Sequence, residues 1–368
     1  MTLDLLAAAH RLDQATTAAE FVLTAIALLD EAGAHGAELY AVDHEVRHVV
    51  PLERSGETFP IDDEFLAALM GNRTVDSAGS TWSPLPNRQQ PFLVARIAPS
   101  QTMVDPGLGS LIGELYAHRS RSRFALEQPR RCAAMSIAAE LQWEILPFQT
   151  DRSSMHAVAA ALRPAYDVAG DAFDYELSET STIAYALDAM GHGITATLSA
   201  TLAVTALRNS RRAGASLADQ VTAAHRAILD EWDGGRFVTL VAVQATVDKL
   251  RVVNAGHEPL RRRHTDGSIN TLRLHADPPA GVPHSQQYRT TEIAPLVPGE
   301  GLVLLSDGAA STQSTSGAAL GPEGVNRALA SAWSPAPFTS VHRFLASVNR
   351  DLDAEQLDDI TALVMVAQ

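Results

Sequence analysis

The sequence predicts an α+β protein of two domains joined by a helix, with helix pairs covering two sheets in the C-terminal domain. Three observations carry this. The chain has 368 residues, more than one hydrophobic core usually serves. Its first third runs helix, hairpin, helix, strand, helix, the order of a compact mixed domain over residues 1–128. From about residue 150 the texture turns strand-rich, and aspartates recur where apolar runs end. The expected boundaries are therefore 1–128 for the first domain, 129–148 for the connecting helix and 149–368 for the second.

Residues 2–33 carry Leu, Ala and Ile three and four apart, which is helical spacing. GAELYAVD (36–43) and EVRHVVPLE (45–53) read as paired strands, and DDEFLAALMG (62–71) as a short helix closed by Gly71. A strand at 90–99 and a longer helix at 108–128 follow. Residues 131–146, RCAAMSIAAELQWEIL, read as a helix stopped by Pro147, with Ala134, Ile137, Ala138, Leu141 and Ile145 on one face. That stripe suits a packed linker first, and as an alternative a homodimer seam or switch helix. Strands are expected at 182–188, 237–248, 250–256, 269–274, 288–296, 301–307 and 359–368, with helices at 194–212, 217–232, 323–333 and 338–351. Ser216 followed by Asp219 starts the second of these helices as a capping box, and Asp266-Gly267 signals a hairpin. Residues 77–91 and 306–324 read as loops.

Composition narrows the function classes. Lys and Arg total 28 against 43 Asp and Glu, a net charge of −15, which argues against binding nucleic acid or an anionic membrane. The single cysteine, Cys132, excludes an intrachain disulfide. The N-terminus lacks the basic start of a signal peptide, and no apolar run reaches membrane-spanning length. The expectation is a cytoplasmic protein.

The chemistry lies in four acidic segments. VAGDAFD (168–174) sets Asp171 and Asp174 around an expected turn. ALDAMGHG (186–193) puts Asp188 after a strand, LVLLSDG puts Asp307 after another, and QLDDIT puts Asp358 and Asp359 before the last. One strand-end aspartate is ordinarily a turn former. Four brought to one edge would repel unless cations lay between them. Oxygen-only ligands select Mg²⁺ or Mn²⁺ over Zn²⁺. His192, between two glycines, reads either as a group orienting a ligand or as a turn-fixing histidine; His257 in NAGHEP reads as part of a turn.

The ordered series AGDAFDY, ALDAMGHG, FVTLVAV, VVNAGHEPL, LVLLSDG and LDDITALVMV resembles the type 2C metal-dependent serine/threonine phosphatases, in the bacterial branch typified by the stage II sporulation phosphatase. The resemblance implies an αββα sandwich of two antiparallel sheets. It implies that Asp171, Asp188 and the Ala189 carbonyl hold divalent ions, that Asp307 and Asp358 complete the second ion's shell, and that His192, Asp174 and Asp359 are outer groups. Two Mn²⁺ or Mg²⁺ ions would activate a water for in-line attack on phosphoserine or phosphothreonine. The implied partner is a phosphorylated protein, in this branch an anti-sigma-factor antagonist. Cys132 is no phosphatase nucleophile, since Ala138 stands where a cysteine phosphatase needs arginine. The first 125 or so residues resemble a GAF-type sensor domain in element order. The chain departs from the phosphatase pattern at Ala169, Ala172 and Ala309, none a predicted ligand. Two rivals stand beside an active phosphatase: a signal-responsive pseudophosphatase that only binds, and a hydrolase of small phosphate esters.

Overall fold

The computed structural model describes residues 4–53, 56–86, 93–99, 103–120, 124–166, 170–284, 287–312, 319–350 and 359–368. The chain forms two compact units, Met1–Ala134 and Met135–Gln368.

The first unit opens with two helices, α1 (Leu5–Gln14) and α2 (Ala18–Glu31). The expected single helix over 2–33 is broken because Thr17 caps α2 in a full capping box with Glu20. The strands are β1 (Glu38–Val42), β2 (His48–Pro51), β3 (Phe59–Pro60), β4 (Val75–Ser77), β5 (Ser80–Leu85) and β6 (Leu93–Ile97), with α3 (Asp63–Met70) between β3 and β4. They form one sheet in the order β3-β2-β1-β6-β5-β4. Two more helices follow, α4 (Pro106–Ser120) and α5 (Phe124–Glu127). The expected loop over 77–91 is in part β5. Its serines and proline mask a strand, but Trp82 is buried and packs edge-on against Tyr40, Phe59 and Phe65.

The second unit begins with α6 (Ile137–Ile145), which starts later than the expected residue 131 because Ser136 caps it. Its exposure also departs from the expected stripe: Ala138, Ala139 and Gln142 are buried, whereas Ile137 and Leu141 are exposed. Next come β7 (Thr150–Arg152), β8 (His156–Arg163), β9 (Asp171–Leu177) and β10 (Thr182–Ala189). The helices α7 (Ile194–Arg212) and α8 (Leu217–Trp232) follow at the expected positions. The remainder is β11 (Val238–Ala245), β12 (Leu250–Ala255), β13 (Leu260–Arg263), β14 (Ile269–Leu272), β15 (Thr291–Ile293), β16 (Gly301–Leu305), α9 (Gly308–Ser311), α10 (Gly321–Ala332), α11 (Pro337–Arg350) and β17 (Ile360–Ala367). The Asp266-Gly267 signal lies in the β13–β14 hairpin.

Two antiparallel sheets result, β15-β12-β11-β10-β9 and β14-β13-β16-β17-β8-β7. Their central strands are buried on both faces, which explains why β17 reads as a continuous apolar run rather than an alternation. Helices α7 and α8 pack on the first sheet, α10 and α11 on the other side of the sandwich. Among the described residues no helix is long and apolar enough to cross a membrane.

Candidate metal centre

Asp171 and Asp174 do not flank a turn: both lie on β9, where the alternation of a strand sends them to opposite faces. Asp174 points to the helix layer. It is buried and accepts from Arg208 at 2.7 and 3.1 Å and from Arg211 at 3.0 Å, both on α7. Asp171 points toward the second sheet and is 2% exposed. Its register partner across β9–β10 is Asp188, whose other neighbour on β11 is Thr239. Two carboxylates therefore stand directly opposite each other, a pairing that repels unless compensated.

The second sheet adds a third. Asp359 is buried just before β17, and its Oδ2 accepts from the Gly170 amide at 3.1 Å. Ser306, at the end of β16, ties this corner together: its Oγ accepts from the Thr361 amide at 2.9 Å and donates to the Asp359 carbonyl at 3.3 Å. The groups acting on Asp171 follow from this layout. Burial pushes its carboxyl well above the usual carboxylate range, the charges of Asp188 and Asp359 push the same way, and the Ser306 and Thr361 hydroxyls pull back. Asp171 Oδ2 is buried with no hydrogen-bond partner among the described residues.

Asp307 is exposed at the start of α9, and the next residue is pressed onto Asp359: a Cβ on Gly308 would lie 1.9 Å from the Asp359 carbonyl oxygen. The acid ends of β16 and β17 are thus one corner. On the β9–β10 side, a Cβ on Gly170 would lie 2.7 Å from the Ala189 carbonyl oxygen, so glycine keeps that carbonyl approachable. His192 is exposed in the turn after β10. Asp358 lies outside the described residues.

His257 is buried. Its backbone is held by Asn254, and Nδ1 pairs with Thr239 Oγ1 at 2.8 Å, so the NAGH turn braces the strand beside Asp188. Burial lowers its pKa to about 4, so the ring is neutral at physiological pH. Sequence reasoning missed Ser306, Thr361 and Thr239, whose types are common and whose positions matter only once the sheets are stacked. It also missed Arg236, which donates to the Met190 carbonyl at 3.2 Å beside the Gly-His-Gly turn.

These groups fit divalent cations. The donors are all oxygen, one of them is buried and unpartnered, and mutually repelling carboxylates need positive charge between them. The acids are spread over two sheets rather than gathered in one tight cage. Among the described residues the trio of ligating atoms all within 4.8 Å of one another lies in the first unit instead.

Comparison with known proteins agrees with this fold. The SiaA PP2C domain of Pseudomonas aeruginosa superposes with a TM-score of 0.52 at 22% identity, over 62% of this chain and 94% of that one. The RsbU and RsbW domains of a Mycobacterium tuberculosis protein give 0.51 at 20% identity, over 58% of this chain and 60% of that one. The phosphatase domain and regulatory fragment of SpoIIE from Bacillus subtilis give 0.51 at 16% identity, over 59% of this chain and 65% of that one. The match thus spans less than two thirds of the Mycobacterium and Bacillus structures. No curated protein sequence matches the chain. The sequence model of the stage II sporulation protein E (SpoIIE) family matches residues 178–368, more than half the chain, and with the PP2C fold of the second unit this makes the protein a member of that family.

Proposed function

We propose that the chain is a metal-dependent protein phosphatase that hydrolyses phosphoserine or phosphothreonine. The observation that carries this is Asp171: a buried carboxylate facing two further carboxylates, at the strand ends of a PP2C fold. Asp171, Asp188 and the Ala189 carbonyl would hold one side of a pair of Mn²⁺ or Mg²⁺ ions, and Asp307 and Asp358 the other. Such ions, when bound, supply a water acidic enough to attack phosphorus at neutral pH and offset charge on the phosphoryl oxygens. The chain's own part is positioning. The β9–β10 register fixes Asp171 against Asp188, Asp359 holds the Gly170 amide, and Thr239 with His257 braces the next strand. Asp359 and Asp174 act from outside the shell, the latter through its arginines. His192 and Arg236 stand at the exposed turn, where a phosphorylated segment would enter.

The similarity to RsbU and SpoIIE domains supports a phosphoprotein substrate, which we take to be a phosphorylated anti-sigma-factor antagonist, while the element order and single six-stranded sheet of the first unit support a signal-receiving, GAF-like role for it. The exposed pair Ile137 and Leu141 on α6 supports a homodimer seam there; light scattering of a variant with both changed to Gln would show a lost dimer. The main test is phosphate release from a phosphoserine protein with Mn²⁺ and with chelator. Turnover that needs the metal and vanishes in Asp188→Asn supports the reading. Absence of both turnover and Mn²⁺ binding favours the binding-only alternative.

A further inference from the structure

The first unit carries a second ligand set of different chemistry. Asp43 ends the β1 edge of the tight turn to β2 and is 1% exposed. Its Oδ1 accepts from the Arg47 and His48 amides at 2.7 and 2.9 Å, which fixes the carboxylate and leaves Oδ2 facing the His48 ring, 3.8 Å from Nδ1. Cys132, the only cysteine of the chain, arrives from the far end of the unit. A carboxylate oxygen, an imidazole nitrogen and the thiol sulfur all lie within 4.8 Å of one another. A tetrahedral ion with bonds of about 2.0–2.3 Å needs its ligand atoms closer than this by roughly 1 Å. His48 is 42% exposed at its side chain and Cys132 is exposed, so both have room to close that distance, while Asp43 stays fixed.

His48 and Cys132 also line a cavity of about 960 Å³ whose other walls include Val22, Leu23, Val50 and Arg131. A ligand set of one sulfur, one nitrogen and one oxygen suits a borderline-soft ion, not the hard ions of the acidic centre. Three protein ligands leave a fourth position. We propose that Asp43, His48 and Cys132 form a site for a divalent cation of the zinc class, with its fourth position open to this cavity. A small anionic or thiol ligand entering the cavity would bind there, so the site would give the first unit a means of sensing such a ligand.

The lone cysteine makes the test specific, because any thiolate–metal charge-transfer band must come from Cys132. The reduced, metal-free full-length chain is titrated with Co²⁺ and the near-ultraviolet thiolate–cobalt band is followed. The expected result is a band saturating at one equivalent, absent in Cys132→Ser. Its Co²⁺ affinity should fall by about tenfold or more in His48→Ala and in Asp43→Asn, where Asn retains an oxygen for the turn's hydrogen bonds. Asp188→Asn should leave the band unchanged, which separates this site from the acidic centre. Circular dichroism of each variant checks folding. No band in the unaltered chain, or a band of equal affinity in the folded His48→Ala and Asp43→Asn variants, would overturn the proposal.

Discussion

Two aspartates three residues apart on β9 are both buried, yet they are handled in opposite ways. Asp174 meets two guanidinium groups of α7. Asp171 meets two more carboxylates. A buried charge that finds a fixed partner within the chain is a structural element. One surrounded by like charges is satisfied only by something the chain does not encode, such as an exchangeable cation. The contrast separates the candidate ligand from its neighbour more sharply than any motif does, since both residues belong to the same AGDAFDY segment.

The largest expected effect follows from Asp171. Asp171→Asn should lower metal-dependent phosphate release by about a hundredfold or more, the scale seen when one charge-stabilising group is lost. Stability should move the other way. In chelator, thermal unfolding of the second unit should occur at a higher temperature in Asp171→Asn than in the unaltered chain, because a repulsive charge is gone. A fall in both activity and metal-free stability would make Asp171 a structural acid like Asp174 and erase the contrast.

Asp174→Asn is the mirror experiment. It leaves Arg208 facing a neutral group and Arg211, only 10% exposed at its side chain, with the half-exposed Glu176 as its remaining acid. Breaking a buried ion pair costs roughly 3–5 kcal/mol, and because Arg208 reaches solvent we expect about 3. For a unit of this size that lowers the unfolding midpoint by roughly 6–12 °C. Metal affinity measured well below the midpoint should barely change.

How much of this was legible in the sequence depends on what each signal needed. Helices α7 and α8 could be read residue by residue because spacing and the Ser216 cap are local. The strands β10, β12 and β16 could be read from apolar runs ending at Asp or Gly, and β17 from the apolar run that follows Asp358-Asp359. By contrast β9 was hidden, since the two aspartates lowered its apparent strand character and only burial on both sides explains them. The Ala-rich β8 was hidden because its three successive alanines and lysine-free apolar pattern fit a helix as well as a buried strand. The acids that gather at the strand ends were visible as a series. That Asp174 belongs with arginines and Asp359 with Gly170 was not, because each pairing joins segments distant in the chain.

His257 shows a third way to bury an ionisable group, by keeping it neutral. Its folded pKa of about 4 lies below the unfolded value of 6.5. Between these values the unfolded chain binds a proton that the folded ring refuses, so the contribution to stability is complete above pH 6.5 and is lost as the pH falls toward 4. At full extent this is roughly 3 kcal/mol. Urea unfolding of the second unit at pH 7 and pH 4.5 should show the loss, and His257→Asn should show less of it. An unchanged acid-side slope in that variant would mean that the ring is solvated and that burial does not set its charge.

The smallest effect divides the Asp174 pair itself. Arg208 donates to Asp174 and also, through Nη2 at 2.7 Å, to the Ile145 carbonyl that ends α6. Arg211 holds the other carboxylate oxygen and lies against the Tyr185 ring. Arg208→Ala should therefore cost only about 1 kcal/mol, because Arg211 still compensates the charge and Arg208 is 25% exposed at its side chain. Amide exchange at the end of α6 should quicken. Arg208→Lys should restore the stability but not the slow exchange, since one ammonium lacks the planar fork that serves both acceptors. A loss in Arg208→Ala as large as in Asp174→Asn would mean that one guanidinium cannot hold this buried carboxylate. The strand would then carry two acids that each need two positive partners, one pair supplied by α7 and the other from outside the chain.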